Sequence, residues 1–115
     1  MLIVSKTAQI SKLADIEDSV RGTKIVIGDN VTIDSFVKIK CVGGLNDIII
    51  GENSRINSNC VLFSGNGSTI GKDVLIAPCC VIVPTNHAYE NANKTIIEQR
   101  FKASKGGIII VFQNL

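Results

Sequence analysis

Nine aliphatic residues recur at intervals of six: Ile27, Ile33 and Ile39, then Ile50, Ile56 and Leu62, then Ile70, Ile76 and Ile82. Each triplet opens alike, with Ile27-Gly28, Ile50-Gly51 and Ile70-Gly71, and after the first two aliphatics of each triplet the fourth residue on is small or β-branched (Val31, Val37, Ser54, Cys60, Val74, Cys80). At about 100° per residue an α-helix would scatter side chains six apart around its circumference, and no apolar stripe would form. Six is a multiple of the two-residue strand period, so every sixth side chain can face one interior if a corner separates short β segments. Three such segments make one triangular coil, and coils stacked at about 4.8 Å would place Ile27 over Ile50 over Ile70.

Corner chemistry agrees. Asp29-Asn30, Glu52-Asn53, Ser58-Asn59, Ser64-Gly65 and Lys72-Asp73 occupy the third and fourth places of their hexads, and Asn, Asp and Gly tolerate the left-handed backbone of a tight turn. An antiparallel sandwich is the competing all-β reading, but it has no reason to keep a three-by-three register of sixes. The sequence therefore predicts an all-β chain, a parallel β-helix in the form of a triangular solenoid, as one domain over residues 1–115. Residues 7–26 read as an irregular first coil, with Ile10, Ile16 and Val20 in step. Residues 27–46 and 50–67 read as two clear coils and 70–82 as most of a third.

Composition supports a narrow prism. Apolar residues make up 45% of the 115-residue chain but aromatics only 4%, which suits a thin aliphatic core and removes the stacking platforms of single-stranded nucleic-acid binders. A net charge of +2 with scattered Lys and Arg gives no basic patch for nucleic acid. Apolar runs are short and the N-terminal Met1-Leu2-Ile3-Val4 has no signal-like region after it, so a soluble cytoplasmic chain without membrane insertion is expected. Cys41, Cys60, Cys79 and Cys80 lie at no metal-ligand spacing and read as small packing residues in a reducing compartment.

The hexad register stops at Val83 and no usable repeat returns before Gly107, so a long extended loop over about 83–107 is inserted in the solenoid. It contains Thr85-Asn86-His87-Ala88-Tyr89-Glu90-Asn91 and Ile96-Ile97-Glu98-Gln99. A long insertion on a rigid scaffold is where function concentrates. Gly106-Gly107-Ile108-Ile109-Ile110 reads as re-entry, after which Val111 to Leu115 keep no hexad; the last coil reads as incomplete and the chain as C-terminally truncated.

On these residues the chain resembles the hexapeptide-repeat, left-handed parallel β-helix acyltransferases over about residues 25–110. It is most similar to the sugar and polysaccharide O-acetyltransferases, the maltose and galactoside acetyltransferases among them. The narrowing motifs are Thr85-Asn86-His87-Ala88-Tyr89 at the family's extended-loop position, and Ile97-Glu98-Gln99 followed by Gly107-Ile108-Ile109-Ile110. The resemblance implies left-handed coiling, acetyl-CoA as acetyl donor, no metal, a homotrimer with sites between chains, and a sugar or polysaccharide-precursor acceptor.

It further implies that His87, the only histidine, is the catalytic general base; a hydroxyl attacking a thioester must lose its proton, and imidazole titrates near neutrality. Asn57, one coil earlier, matches a family asparagine that binds the acceptor or the developing oxyanion, though a corner-stabilising role is equally compatible with its hexad place. Asn86, Tyr89 and Gln99 are the other acceptor-binding candidates, and Glu90 and Glu98 are acids available to orient His87. The coils that follow the Ile108-Ile110 position in the family, and line its coenzyme groove, are missing here. The alternative function is thus a catalytically inactive trimeric β-helix serving as a structural or interaction module. Zinc chemistry on this coil type needs several histidines, which one per chain meets only on a threefold axis.

Overall fold

The computed structural model describes residues 1–18, 23–42, 45–87, 92–95, 98, 101–103 and 107–111. The chain winds as a parallel β-solenoid. The first rung holds β1 (Leu2–Val4), β2 (Gln9–Ile10) and β3 (Asp15–Ile16), and the second β4 (Ile25–Ile27), β5 (Thr32–Ile33) and β6 (Lys38–Lys40). The third rung holds β7 (Ile48–Ile50), β8 (Arg55–Ile56) and β9 (Val61–Phe63), and the fourth β10 (Ser68–Ile70), β11 (Leu75–Ile76) and β12 (Val81–Ile82). A hairpin of β13 (Thr85–His87) and β14 (Phe101–Ala103) follows, and β15 (Ile108–Ile110) returns to the solenoid.

Three parallel sheets form the three faces. The first face is β1-β4-β7-β10-β15, the second β2-β5-β8-β11 and the third β3-β6-β9-β12. The predicted ladders are in register: Ile27 pairs with Ile50 and Ile50 with Ile70, Ile33 with Ile56 and Ile56 with Ile76, and Ile39 with Leu62 and Leu62 with Ile82. All nine are buried. A fully buried Ile or Leu contributes about 1.5–3 kcal/mol, so the vertical stacking of these side chains is what makes a six-residue repeat fold. A second inward column, Ile25 and Ile48 with Ser68 above them, completes the lining of the first face.

The corners turn as the residues demand. Asn30, Asn53, Asn59 and Asp73 hold φ between 56° and 63°, the left-handed region that short polar side chains tolerate. Phe36 and Cys79 sit at the same place with φ of 63°, which propensity did not foresee. At the Ser64-Gly65 corner the turn falls one residue later than expected, on Gly65 and Asn66, because Ser64 is drawn inward and its hydroxyl donates to the Val42 carbonyl at 2.9 Å. Gly51 allows the rungs to close up: a Cβ there would meet the Gly71 carbonyl carbon at 2.6 Å and the Lys72 nitrogen at 2.7 Å.

One sequence expectation is revised and another extended. The first coil starts at Leu2 and not at residue 7, since Leu2, Ile3 and Val4 pair with Ile25, Val26 and Ile27; an unbroken apolar triplet carries no hexad punctuation by which to read it. Within the 83–107 insertion, the β13–β14 ribbon adds a pairing that the lost hexad register could not announce. Val20 lies outside the described residues.

Among the described residues no helix is long and apolar enough to cross a membrane.

Candidate functional site

The hairpin leaves the solenoid where the ladder is broken chemically. After β12, Pro84 is fully buried and has no N–H to donate to a continuing strand. The chain departs at the corner between the third and first faces. β13 and β14 pair antiparallel, with Thr85 opposite Ala103, Asn86 opposite Lys102 and His87 opposite Phe101. The return is fixed by Gly107, whose φ is 67° and where a Cβ would lie 2.6 Å from the carbonyl oxygens of Asn66 and Gly67. Only glycine lets the strand come down this close. The Ile108 N–H then donates to the Gly67 carbonyl at 2.9 Å, and the Gly71 N–H to the Ile110 carbonyl at 2.7 Å.

The corner from which the hairpin departs carries a groove of about 180 Å³. Its rim is Asn46 and Asp47 from the second-to-third rung passage and Asn66 from the third-to-fourth; its floor is Ile49, Thr69 and Ile109. These floor residues are the outward side chains of the first face, stacked in register. The walls are tied from rung to rung. Asp47 Oδ1 accepts the Lys24 N–H at 2.8 Å, the Ser68 N–H donates to the Asp47 carbonyl at 3.1 Å, and the Ser68 hydroxyl donates to the Phe63 carbonyl at 2.7 Å.

None of the rim residues was singled out by the sequence. Asn46 and Asn66 look like ordinary turn formers, and a rung must separate them before they become neighbours. The signal that could have found them is the re-entry register, which places Ile109 over Thr69 and Ile49 at this corner.

The outer columns of the three faces differ. On the first face Ile3, Val26, Ile49, Thr69 and Ile109 form one uncharged column, with Ile3 43%, Ile49 41% and Ile109 70% exposed. The second face shows Gln9, Thr32, Arg55 and Leu75, and the third Asp15, Lys38, Val61 and Val81. On the third face Lys40 pairs with Asp15 at 2.8 Å, a surface contact worth little.

The predicted site residues fall in three places. Asn86 and His87 are on β13 of the hairpin. Asn57 is half-buried at the corner between the second and third faces, its N–H donating to the Ile76 carbonyl at 3.1 Å. Within one chain, therefore, the width of the third face separates Asn57 from the corner at which the hairpin leaves. Tyr89, Gln99 and Glu90 lie outside the described residues; Glu98 is exposed and its N–H donates to Thr95 Oγ1 at 3.2 Å.

None of the four cysteines is joined in a disulfide. Cys60 is enclosed beneath the fourth-rung turn and donates its Sγ–H to the Ala77 carbonyl at 3.0 Å. Burial pushes its thiol pKa up, opposed in part by the N–H groups of Cys80 and Cys79 directed at the sulfur and reinforced by the proximity of those two thiols. Cys79 is exposed and Cys80 half-buried. Among the described residues no three His, Cys, Asp or Glu side chains converge as a metal site. No family model, curated protein or solved structure matches the chain, which leaves a β-solenoid carrying one hairpin and one groove at a shared corner as the ground for any functional reading.

Proposed function

We propose that this chain is an acetyl-CoA-dependent O-acetyltransferase of the hexapeptide-repeat, left-handed β-helix type, acting on a hydroxyl of a sugar or polysaccharide precursor. One observation carries the reading: the hairpin bearing His87 interrupts the solenoid at the corner that also holds the groove, and the frame resumes at once with β15. A strand that carries a base and leaves a rigid frame here starts from the same corner as a place for an acceptor.

In this reading His87 takes the proton of the acceptor hydroxyl as the oxygen attacks the acetyl carbon, and returns it to the sulfur as the thioester C–S bond breaks and coenzyme A leaves as the free thiol. A polar donor, with Asn57 the candidate, offers an amide N–H to the charge that develops on the carbonyl oxygen. Asn57 and the hairpin occupy different corners of one prism, so a side-by-side packing of chains, a homotrimer, is what brings them into one cleft. Asn86, Tyr89 and Gln99 contribute to the acceptor side. Bound acetyl-CoA supplies the activated acetyl thioester. Substrate of this kind places the reaction in the cytoplasm.

The test is acetyl transfer from acetyl-CoA to a panel of sugars, followed by release of the free thiol. His87→Ala should lower the rate by about 10²–10⁴-fold, the range a general base supplies, with an unchanged far-ultraviolet spectrum. If the intact protein turns over no acceptor in the panel, the proposal fails and a catalytically inactive module is the better description.

A further inference from the structure

The groove at the hairpin corner has a chemistry of its own. Its volume is about 180 Å³. That is below the 300–1,000 Å³ or so of whole-ligand pockets, so a single ring fits and a nucleotide does not. The floor is aliphatic, with Ile49 and Ile109 flanking the Thr69 hydroxyl, a surface for the C–H face of a pyranose. Around it stand the amides of Asn46 and Asn66 and the carboxylate of Asp47. Amides both donate and accept, a carboxylate accepts, and a hydroxyl does either; that set matches vicinal hydroxyls, which also do both.

Charge narrows the class. Asp47 is the one ionisable side chain among the described residues lining the groove, so the charge on the groove wall is negative. A phosphorylated or carboxylated ring would be repelled at close quarters, whereas a neutral one would be held by hydrogen bonds that the Asp47 carboxylate strengthens. The walls are pre-set by the Lys24–Asp47 and Ser68–Asp47 bonds, so little ordering is needed on binding.

We infer that this groove is a binding subsite for one neutral, unphosphorylated sugar unit, with the ring face on Ile49 and Ile109 and its hydroxyls on Asn66, Asp47 and Thr69. That the bound sugar is the acetyl acceptor rests on the function proposed above; that the groove binds it does not.

The experiment is a titration of the intact, isotope-labelled protein with neutral methyl hexosides and, separately, with a hexose phosphate, followed by backbone amide shifts. Neutral hexosides should perturb Asn46, Gly67, Thr69 and Ile109, and the hexose phosphate should bind at least about tenfold more weakly. Asn66→Leu and Thr69→Val, both at the surface, should each weaken the neutral sugar by about tenfold, the loss of one hydrogen bond to a charged or buried set. Asp47→Asn, which keeps an acceptor for the Lys24 N–H, should close the gap between the two ligands. No perturbation by any neutral hexoside up to its solubility, perturbation centred elsewhere, or phosphate binding as tight as neutral binding would each overturn the assignment. Binding at the groove without acetyl transfer would sink the enzymatic reading and leave the subsite standing; transfer with no shift at the groove would do the reverse.

Discussion

Ser54 reaches into the turn of the rung above it, where its hydroxyl donates to the Gly71 carbonyl at 2.6 Å and accepts the Val74 N–H at 3.0 Å. Cys60 occupies the same place at the next corner, its thiol donating to the Ala77 carbonyl at 3.0 Å. The fifth residue of a hexad thus does more than fill a corner: it supplies the hydrogen-bonding group that the turn overhead lacks.

Ser54→Ala should therefore destabilise the chain by about 1–3 kcal/mol, because a buried N–H is left without an acceptor. Denaturant unfolding checks this; a midpoint unchanged from the parent would contradict it.

Gly51→Ala should cost about as much as an overpacked core position, about 1–3 kcal/mol, since the new methyl meets backbone atoms of Gly71 and Lys72 that no rotamer change can move aside. Gly107→Ala meets the Asn66 and Gly67 carbonyls in the same way but at the last strand, so its effect should be local. Hydrogen exchange should quicken at Ile108 and Ile110 while the Ile27–Ile50–Ile70 ladder stays protected.

Phe36 is exposed and holds a φ of 63° where four other corners use Asn or Asp. Phe36→Asn should raise stability by up to about 1 kcal/mol, by relieving a left-handed conformation that costs an ordinary residue about 1–2 kcal/mol. A thermal midpoint below the parent's would mean the ring has a packing role that outweighs the strain.

The thiols should separate by access. Alkylation of the folded protein should proceed at Cys79 first and Cys80 more slowly, with Cys60 and Cys41 protected until unfolding, since the first is exposed, the second half-buried and the others buried. Cys60 also gives a pH signature. Its folded pKa lies above the ordinary thiol value of 9.0, so the unfolded chain loses this proton first. Its contribution is present in full below 9.0 and is lost as pH rises from there through the folded value. Cys60→Ala should flatten that alkaline decline in a stability–pH series, whatever it does to stability at neutral pH.

Much of this architecture is legible in the chain because translation preserves it. Ile27, Ile50 and Ile70 each begin a triplet before a glycine, and a strict period admits one stacking. Asn30, Asn53, Asn59 and Asp73 advertise their corners by residue type. Phe36 and Cys79 do not, since there the register of the rungs overrides local preference. Leu2 to Val4 escape notice because a bare apolar run has no period. The site is read less completely. His87 stands out as a lone imidazole in the one break in the repeat, and its strand is where the break occurs, but Asn46 and Asn66 become a pair only when a full turn of the solenoid intervenes.

The spacing of the ladders bears on how the insertion can vary. Ile50 and Ile70 are twenty positions apart, and Ile70 and its partner Ile110 forty. Doubling a loop adds only about 0.6 kcal/mol of closure entropy, so chain of almost any length can be looped out at this corner without dislodging the final strand. A scaffold of this kind can exchange its working segment wholesale, trading one specificity for another, while the column of isoleucines beneath never registers the change.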